Sequence, residues 1–201
     1  MLFRSMRCGL ILVGLVFAFV GACTPQRDYV RTADTRAALV ALSPGSLGRD
    51  LAVSQLVTGE LLGEGKSVRF ELVVNSDELV LVALTPTGVP LFSVRQLSHD
   101  IVFDRMSAET SALSPEFLIA DIKFSHWPVE TLNLAMGPFR SRVIEDEVNG
   151  RRHRVLLDEL GQMIVEATYP ADSARTGELV LRRYDIPYRL RIQELSAQKG
   201  G

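Results

Sequence analysis

A cysteine at the end of an apolar run is the residue with the clearest chemistry in this sequence. Arg4 and Arg7 precede an uncharged stretch that begins near Gly9 and ends in Val20-Gly21-Ala22-Cys23. A basic start, an apolar middle and small residues before a cut are typical of a secretory signal. The residue after this cut is Cys23, whose thiol can be acylated.

This segment resembles the lipobox of bacterial lipoproteins. The resemblance implies that Cys23 is diacylated on sulfur, that the chain is cleaved before it, and that its new amino group receives a further chain such as palmitate. Residues 1–22 are then a signal peptide. Several acyl chains anchor the mature protein, each buried methylene adding about 0.8 kcal/mol. A transmembrane anchor is the alternative, but Leu10 to Val20 falls short of the roughly 20 residues that span a bilayer.

Other residues with catalytic or metal-binding potential are scattered along the sequence. His99, His126 and His153 lie far apart, each without a partner at ligand spacing, so we expect ordinary histidines and no metal or cofactor. The sequence has no Gly-x-Ser-x-Gly elbow and no paired His and carboxylate motif, which predicts no catalytic residue and no enzyme. Asp121 is expected to accept hydrogen bonds from nearby backbone amides.

Length and charge narrow the class of protein. Cleavage before Cys23 leaves 179 of the 201 residues, enough for one domain with a core. The formal net charge of −2 becomes −4 without Arg4 and Arg7, so electrostatics give no case for nucleic acid. Because Cys8 lies in the removed signal, the mature chain can form no internal disulfide.

The sequence divides into an anchored end, one domain and a tail. Residues 23–36 are polar and are predicted to be a lipidated tether. A short amphipathic helix follows over Thr35 to Leu42. The domain is placed at residues 37–195, and residues 196–201 are predicted to be a flexible tail.

Most of the domain has the alternating pattern of half-buried antiparallel strands. In one hairpin we expect Leu72 beside Leu81 and Phe70 beside Ala83, with cover on both sheet faces. The register after Pro86 stays open, because a bulge at Gly88 would reverse the facing of the next strand. The predicted strands are Leu51–Leu62, Val68–Asn75, Glu78–Thr85, Leu91–Leu97, Ile101–Asp104, Ser141–Glu145, His153–Asp158, Met163–Tyr169, Glu178–Tyr184 and Tyr188–Glu194.

Two helices interrupt the strands. Ser114-Pro115-Glu116 predicts a helix start, and the apolar helix that follows ends at Trp127-Pro128, where a second helix begins and runs to Gly137. Helices this apolar must lie against the sheet. They either complete the core or form a lid over an apolar cavity.

The order of these elements resembles the Lol lipoprotein carriers and acceptors. That resemblance implies an α+β, mainly β fold: a half-open antiparallel β-barrel of about ten to eleven strands, closed by a two-helix lid. A closer resemblance, to an uncharacterised family of bacterial lipoproteins often described as Lol-like, covers most of Leu51 to Glu194. It is carried by Leu79 to Gly88, Leu91-Phe92, Ala120-Asp121-Ile122, Trp127-Pro128 and Tyr188 to Ile192.

The resemblance implies a lipid carrier whose genes commonly lie near those for aryl polyene or fatty-acid-type biosynthesis. The expected partners are the membrane, through Cys23, a lipid or acylated ligand, and lipoprotein-sorting or lipid-biosynthesis proteins. Thr24 after Cys23 favours the outer membrane, facing the periplasm, by the sorting rule of enteric-type bacteria. The alternatives are a scaffold without a lipid ligand and an acyl-processing enzyme. Candidate cavity residues are Phe70, Leu72, Leu79, Leu81, Trp127, Tyr188 and Leu190.

Overall fold

The computed structural model describes residues 26–59, 67–107, 114–170 and 177–197. The predicted signal peptide, Cys23 with Thr24, and the end of the predicted tail lie outside these ranges. So do the turn at Gly63 to Lys66 and the polar loop at residues 171–176.

The described residues form one open sheet of ten antiparallel strands, in the order β5-β4-β3-β2-β1-β10-β9-β8-β7-β6. The first five strands make one half and the last five the other, and the halves join where β1 pairs with β10. Strands β5 and β6 are the two ends. The strands are β1 Leu51–Gly59, β2 Ser67–Val74, β3 Glu78–Leu84, β4 Pro90–Leu97, β5 Asp100–Arg105, β6 Arg142–Val148, β7 Arg151–Leu157, β8 Met163–Thr168, β9 Glu178–Arg183 and β10 Tyr188–Ala197.

The predicted strand pattern is confirmed within these residues. Leu72 pairs with Leu81 and Phe70 with Ala83, as expected. Buried and less buried residues alternate along β2 and β3. The expected cover is complete on the inward face, whereas Val82 and its outward neighbours on β3 are only partly buried.

A bulge settles the register that the sequence left open. The pairing of β3 with β4 shifts between Ala83 and Leu84, and Leu84 lies opposite Pro90. Gly88, with φ +92°, forms the turn between them in a conformation that favours glycine. As a result, Phe92 and the next inward residues of β4 face the core.

Three α-helices accompany the sheet: α1 Gln26–Ala41, α2 Pro115–His126 and α3 Val129–Met136. Because α1 contacts both other helices, the expected two-helix lid is a three-helix group. The prediction that α1 begins at Thr35 was wrong, since it starts at Gln26 and takes up most of the expected tether. Strand β10 likewise runs two residues into the expected tail. None of the helices in the described ranges combines the length and apolarity needed to cross a bilayer.

One apolar cluster joins the inward face of the sheet to the helices. Ile119 and Phe124 of α2 and Leu132 of α3 are fully buried in it, together with inward strand residues such as Leu81. Short 3-10 helices at Pro44–Leu47 and Gly137–Phe139 follow α1 and α3, and Leu47 belongs to the same cluster. The domain therefore has a single core.

Helix α3 is joined to the end strand β6 by one amide side chain. Asn133 donates to the Val143 carbonyl at 2.9 Å and accepts from its N–H at 2.7 Å, as a neighbouring strand would. We expect Asn133→Ala to lower the free energy of unfolding by about 1–3 kcal/mol, because both backbone groups lose their partner. Urea unfolding measures this change.

The neighbouring residue supplies a matched control for Asn133. Leu134 is 82% exposed on the same helix, so Leu134→Ala should change the stability by less than about 0.5 kcal/mol. Equal effects of the two substitutions would mean that the Asn133 amide does not stabilise the end of the sheet.

Candidate functional site

The seven predicted cavity residues lie together in the interior. All seven are buried, with at most 8% of their surface exposed, and all belong to the same core cluster. Phe70 and Leu72 lie on β2, Leu79 and Leu81 on β3, Tyr188 and Leu190 on β10, and Trp127 directly after α2. Side chains of the helices pack against them, so an acyl chain could enter here only by displacing those side chains.

Asp121 of α2 is bound by side chains that are distant in sequence. It accepts a hydrogen bond from Arg183 Nε at 2.7 Å and another from the Tyr188 hydroxyl. The expectation of backbone amide partners was therefore wrong. Burial raises the pKa of Asp121, while the charge of Arg183 and the hydroxyl of Tyr188 oppose that rise. Asp185, 3.1 Å from Arg183 Nη1, completes a buried group of two carboxylates and one guanidinium.

A buried lysine holds the C-terminal end of α1. Lys123 of α2 is fully buried, and its ammonium donates to the carbonyls of Val40, at 2.7 Å, and Leu42. The Gln96 amide donates to the same Val40 carbonyl at 2.9 Å. Burial lowers the pKa of Lys123 from 10.5 to about 7. These contacts with distant residues hold α1 where its polar sequence suggested a tether.

The C-terminal end of α2 is held by an arginine from the sheet. Arg154 of β7 donates to the carbonyls of Phe124, at 2.6 Å, and Trp127, at 2.9 Å. Its Nη2 lies 2.6 Å from a Glu145 carboxylate oxygen. These contacts neutralise much of its charge and fix α2 to β7.

Beside this attachment lies a cleft of about 490 Å³, which we call the arginine cleft. It lies between the end of α2 and strands from both halves of the sheet. Its polar lining includes two carboxylates as well as three arginines. The cleft is lined by Arg49, Gln55, Ser125, His126, Glu147, Gly150, Arg152, Arg154, Tyr169, Pro170, Gly177, Leu179, Ile192 and Glu194.

Burial, assisted by the arginines of the cleft, keeps His126 uncharged at neutral pH. Burial, and then the charges of Arg49, Arg154 and Arg152, lower the pKa of His126 from 6.5 to about 4. His153, by contrast, lies outside the cleft, 3.2 Å from Glu166. In the described ranges, no three His, Cys, Asp or Glu side chains are grouped so that they could hold a metal ion.

Sequence reasoning missed the charged residues of the interior, although a signal for them exists. Arg154 is two residues before the buried Leu156 of β7, and Arg183 two residues after the buried Leu181 of β9. Both arginines thus occupy inward positions of their strands. A cation in phase with the apolar positions of a strand predicts a buried partner, because an unpaired buried charge is costly.

A model of a known protein family covers most of the sequence. The family model described as "Protein of unknown function (DUF3261)" matches residues 52–196, nearly the whole sheet domain. No curated protein matches the chain. Because the match covers well over half of the sequence, the chain belongs to the DUF3261 family of proteins of unknown function.

Proposed function

We propose that this protein is a lipid-anchored envelope protein that holds an acyl chain between its sheet and its helices and passes it on. One observation carries the proposal: a single apolar cluster fills the space between one sheet face and three helices, in a sheet whose end strands β5 and β6 do not pair with each other. An open sheet around an apolar interior is what the resemblance to Lol carriers implies. The lipobox resemblance at Cys23 adds the anchor, in the outer membrane.

Burial of the acyl chain is the whole mechanism in this proposal. About ten methylenes moved from water into the interior contribute roughly 8 kcal/mol. That gain must exceed the loss of contacts between the helices and the sheet, because side chains such as Phe124 now fill the interior. Binding therefore requires at least one helix to move.

A scaffold without a lipid ligand is the second candidate. The dense packing of the predicted cavity residues favours it, because a filled core needs no ligand. The two functions differ in one measurable respect, which is whether an acyl species occupies the interior.

Native mass spectrometry of the full chain tests the proposal. The protein, produced with its own N-terminal segment and purified in a nonionic detergent, should carry a non-covalent acyl species in addition to any mass on Cys23. Leu72→Lys should abolish that species, since it places a charge at a fully buried position. The control is Val73→Lys, on the adjacent residue, which is 45% exposed and should retain the species.

Urea unfolding shows whether the Leu72→Lys variant folds. If it does not, Ala83→Leu is the second test, because added volume at this fully buried position should hinder an acyl chain at a cost of about 1–3 kcal/mol. A wild-type protein free of any non-covalent lipid, and unable to take up added fatty acid, would rule out the carrier function and favour the scaffold.

A further inference from the structure

We propose that the arginine cleft binds an anionic oxygen group, a carboxylate or a phosphate, as the headgroup of the acylated ligand. This inference rests on the proposed carrier function and adds the chemical class of the ligand. It depends on the charges of Arg49 and Arg152, on the polar wall of the cleft and on the apolar residues that border it.

Two of the three cleft arginines, Arg49 and Arg152, lack a close carboxylate partner among the described residues. Arg152 lies 3.9 Å from Glu145, a carboxylate that already pairs with Arg154 at 2.6 Å. The Arg152 guanidinium stacks on the Tyr169 ring at 3.8 Å, which leaves N–H groups at its edge for a ligand. Arg49 is exposed and has no carboxylate partner in the described ranges. Guanidinium groups of this kind bind carboxylate and phosphate with two hydrogen bonds.

The wall of the cleft supplies an unused hydroxyl. Ser125 is 6% exposed, and its Oγ has no hydrogen-bond partner among the described residues. Its neighbour His126 carries no charge at neutral pH, and the charges acting on it are those of the three arginines. Glu147 and Glu194 also line the cleft and repel an anion. We therefore place the anion on the His126 side.

The cleft borders the apolar interior. Leu179 lines the cleft and belongs to the core cluster, and Ile192 lines the cleft and packs against that cluster. Leu179 lies on β9 and Ile192 on β10, where the two residues are paired. Strand β10 also pairs with β1 and so joins the two halves of the sheet. A ligand with its anionic group at Arg49 and Arg152 can therefore extend its acyl chain toward the core.

Binding of two matched probes tests the headgroup site. Octyl phosphate and octanol share an alkyl chain and differ in charge, and each is titrated into the full chain in a nonionic detergent at matched free concentrations. Fluorescence of Trp127, the sole tryptophan and the residue after His126, reports occupancy. We expect octyl phosphate to bind at least about tenfold more tightly than octanol.

Substitution of Arg49 and Arg152 should remove that difference. In Arg49→Gln with Arg152→Gln, octyl phosphate should bind within about twofold of octanol, and octanol binding should not change. The control is Arg189→Gln with Arg191→Gln, which removes two exposed arginines of β10 that point away from the buried Leu190. It should retain the wild-type preference.

The outcomes separate this inference from the carrier proposal. Octanol binding without a preference for octyl phosphate, or a preference unchanged by the Arg49 and Arg152 substitutions, would overturn the headgroup site and leave acyl binding standing. Failure of both probes to bind would overturn both proposals. Inorganic phosphate is the third probe: if it displaces octyl phosphate but octanol does not, the site recognises a free anion, and the assignment to a lipid headgroup is overturned.

Discussion

Replacement of Arg183 by Met is expected to lower the free energy of unfolding by about 3–5 kcal/mol. The Arg183 side chain is 2% exposed, and its Nε and Nη1 lie 2.7 Å and 3.1 Å from carboxylate oxygens of Asp121 and Asp185. Those carboxylates are also mostly buried, with side chains 12% and 4% exposed. Without the guanidinium, two negative charges would remain close together with little water, which costs far more than one lost contact.

The adjacent arginine is the control for this prediction. Arg182 is exposed and stacks on the Tyr184 ring at 4.8 Å, so Arg182→Met should cost less than about 1 kcal/mol. Urea unfolding, followed by Trp127 fluorescence, measures both variants. If the two substitutions cost the same, the buried group does not stabilise the fold.

A second substitution tests whether the remaining charge causes the loss. Addition of Asp121→Asn to Arg183→Met removes one of the two carboxylates left without the guanidinium, and it should therefore restore part of the stability. The double variant should be more stable than Arg183→Met alone, in contrast to two independent sites, whose costs add. Additive costs would mean that lost packing, including the contact of Arg183 with the Phe117 ring at 5.3 Å, explains the effect.

These contacts bear on which helix can move. Helix α2 is fixed to the sheet at Asp121 by Arg183 and at its C-terminal end by Arg154. Helix α1 is attached through Lys123 and Gln96, which bind carbonyls at its C-terminal end. If the interior opens for an acyl chain, α1 is therefore the helix that we expect to leave, and α2 the one that stays.

The strands could be predicted from sequence because their signal is local. Alternation along Val68 to Val74 and along Glu78 to Leu84 determines which side chains face inward, and the short turn between them sets the register. The same reasoning failed for the start of α1. Its polar first half resembles a tether, and its attachment depends on Lys123, about 80 residues away in sequence.

The site was also harder to predict because its residues are distant from one another in sequence. The six apolar candidates on strands could be placed in the interior from their period of two, but that pattern is identical for a packed core and a hollow one. The arginine cleft combines Arg49 with Arg152 and His126, which lie far apart in sequence. No local spacing brings such residues together, so only the topology of the sheet reveals the cleft.

Lys123 is expected to make the stability depend on pH in the alkaline range. Its pKa is about 7 in the folded protein and 10.5 when exposed, so between these values the unfolded chain binds more protons. Stability should therefore rise with pH across this window, by up to about 5 kcal/mol in total, and the full cost of burying the charge is present below pH 7.

Lys123→Met isolates this contribution. The variant loses the hydrogen bonds to Val40 and Leu42, a cost that does not depend on pH, so its stability at any one pH does not test the prediction. The slope does. The stability of Lys123→Met relative to wild type should be highest at pH 6 and should fall steadily to pH 9.5, as measured by urea unfolding in each buffer.

A difference that stays constant with pH would mean that Lys123 remains charged when buried. Two carbonyl acceptors and the negative end of the α1 dipole would then compensate for its desolvation. In that case α1 would be held by a charge-assisted contact at every pH between 6 and 9.5. If instead the slope is as expected, the Lys123 side chain is a neutral amine in most of the folded protein above pH 7, and it binds the carbonyls of Val40 and Leu42 through uncharged hydrogen bonds. Departure of α1 would expose Lys123 and return its pKa toward 10.5, so opening of the interior at α1 should become harder as the pH rises, for the same reason that unfolding does.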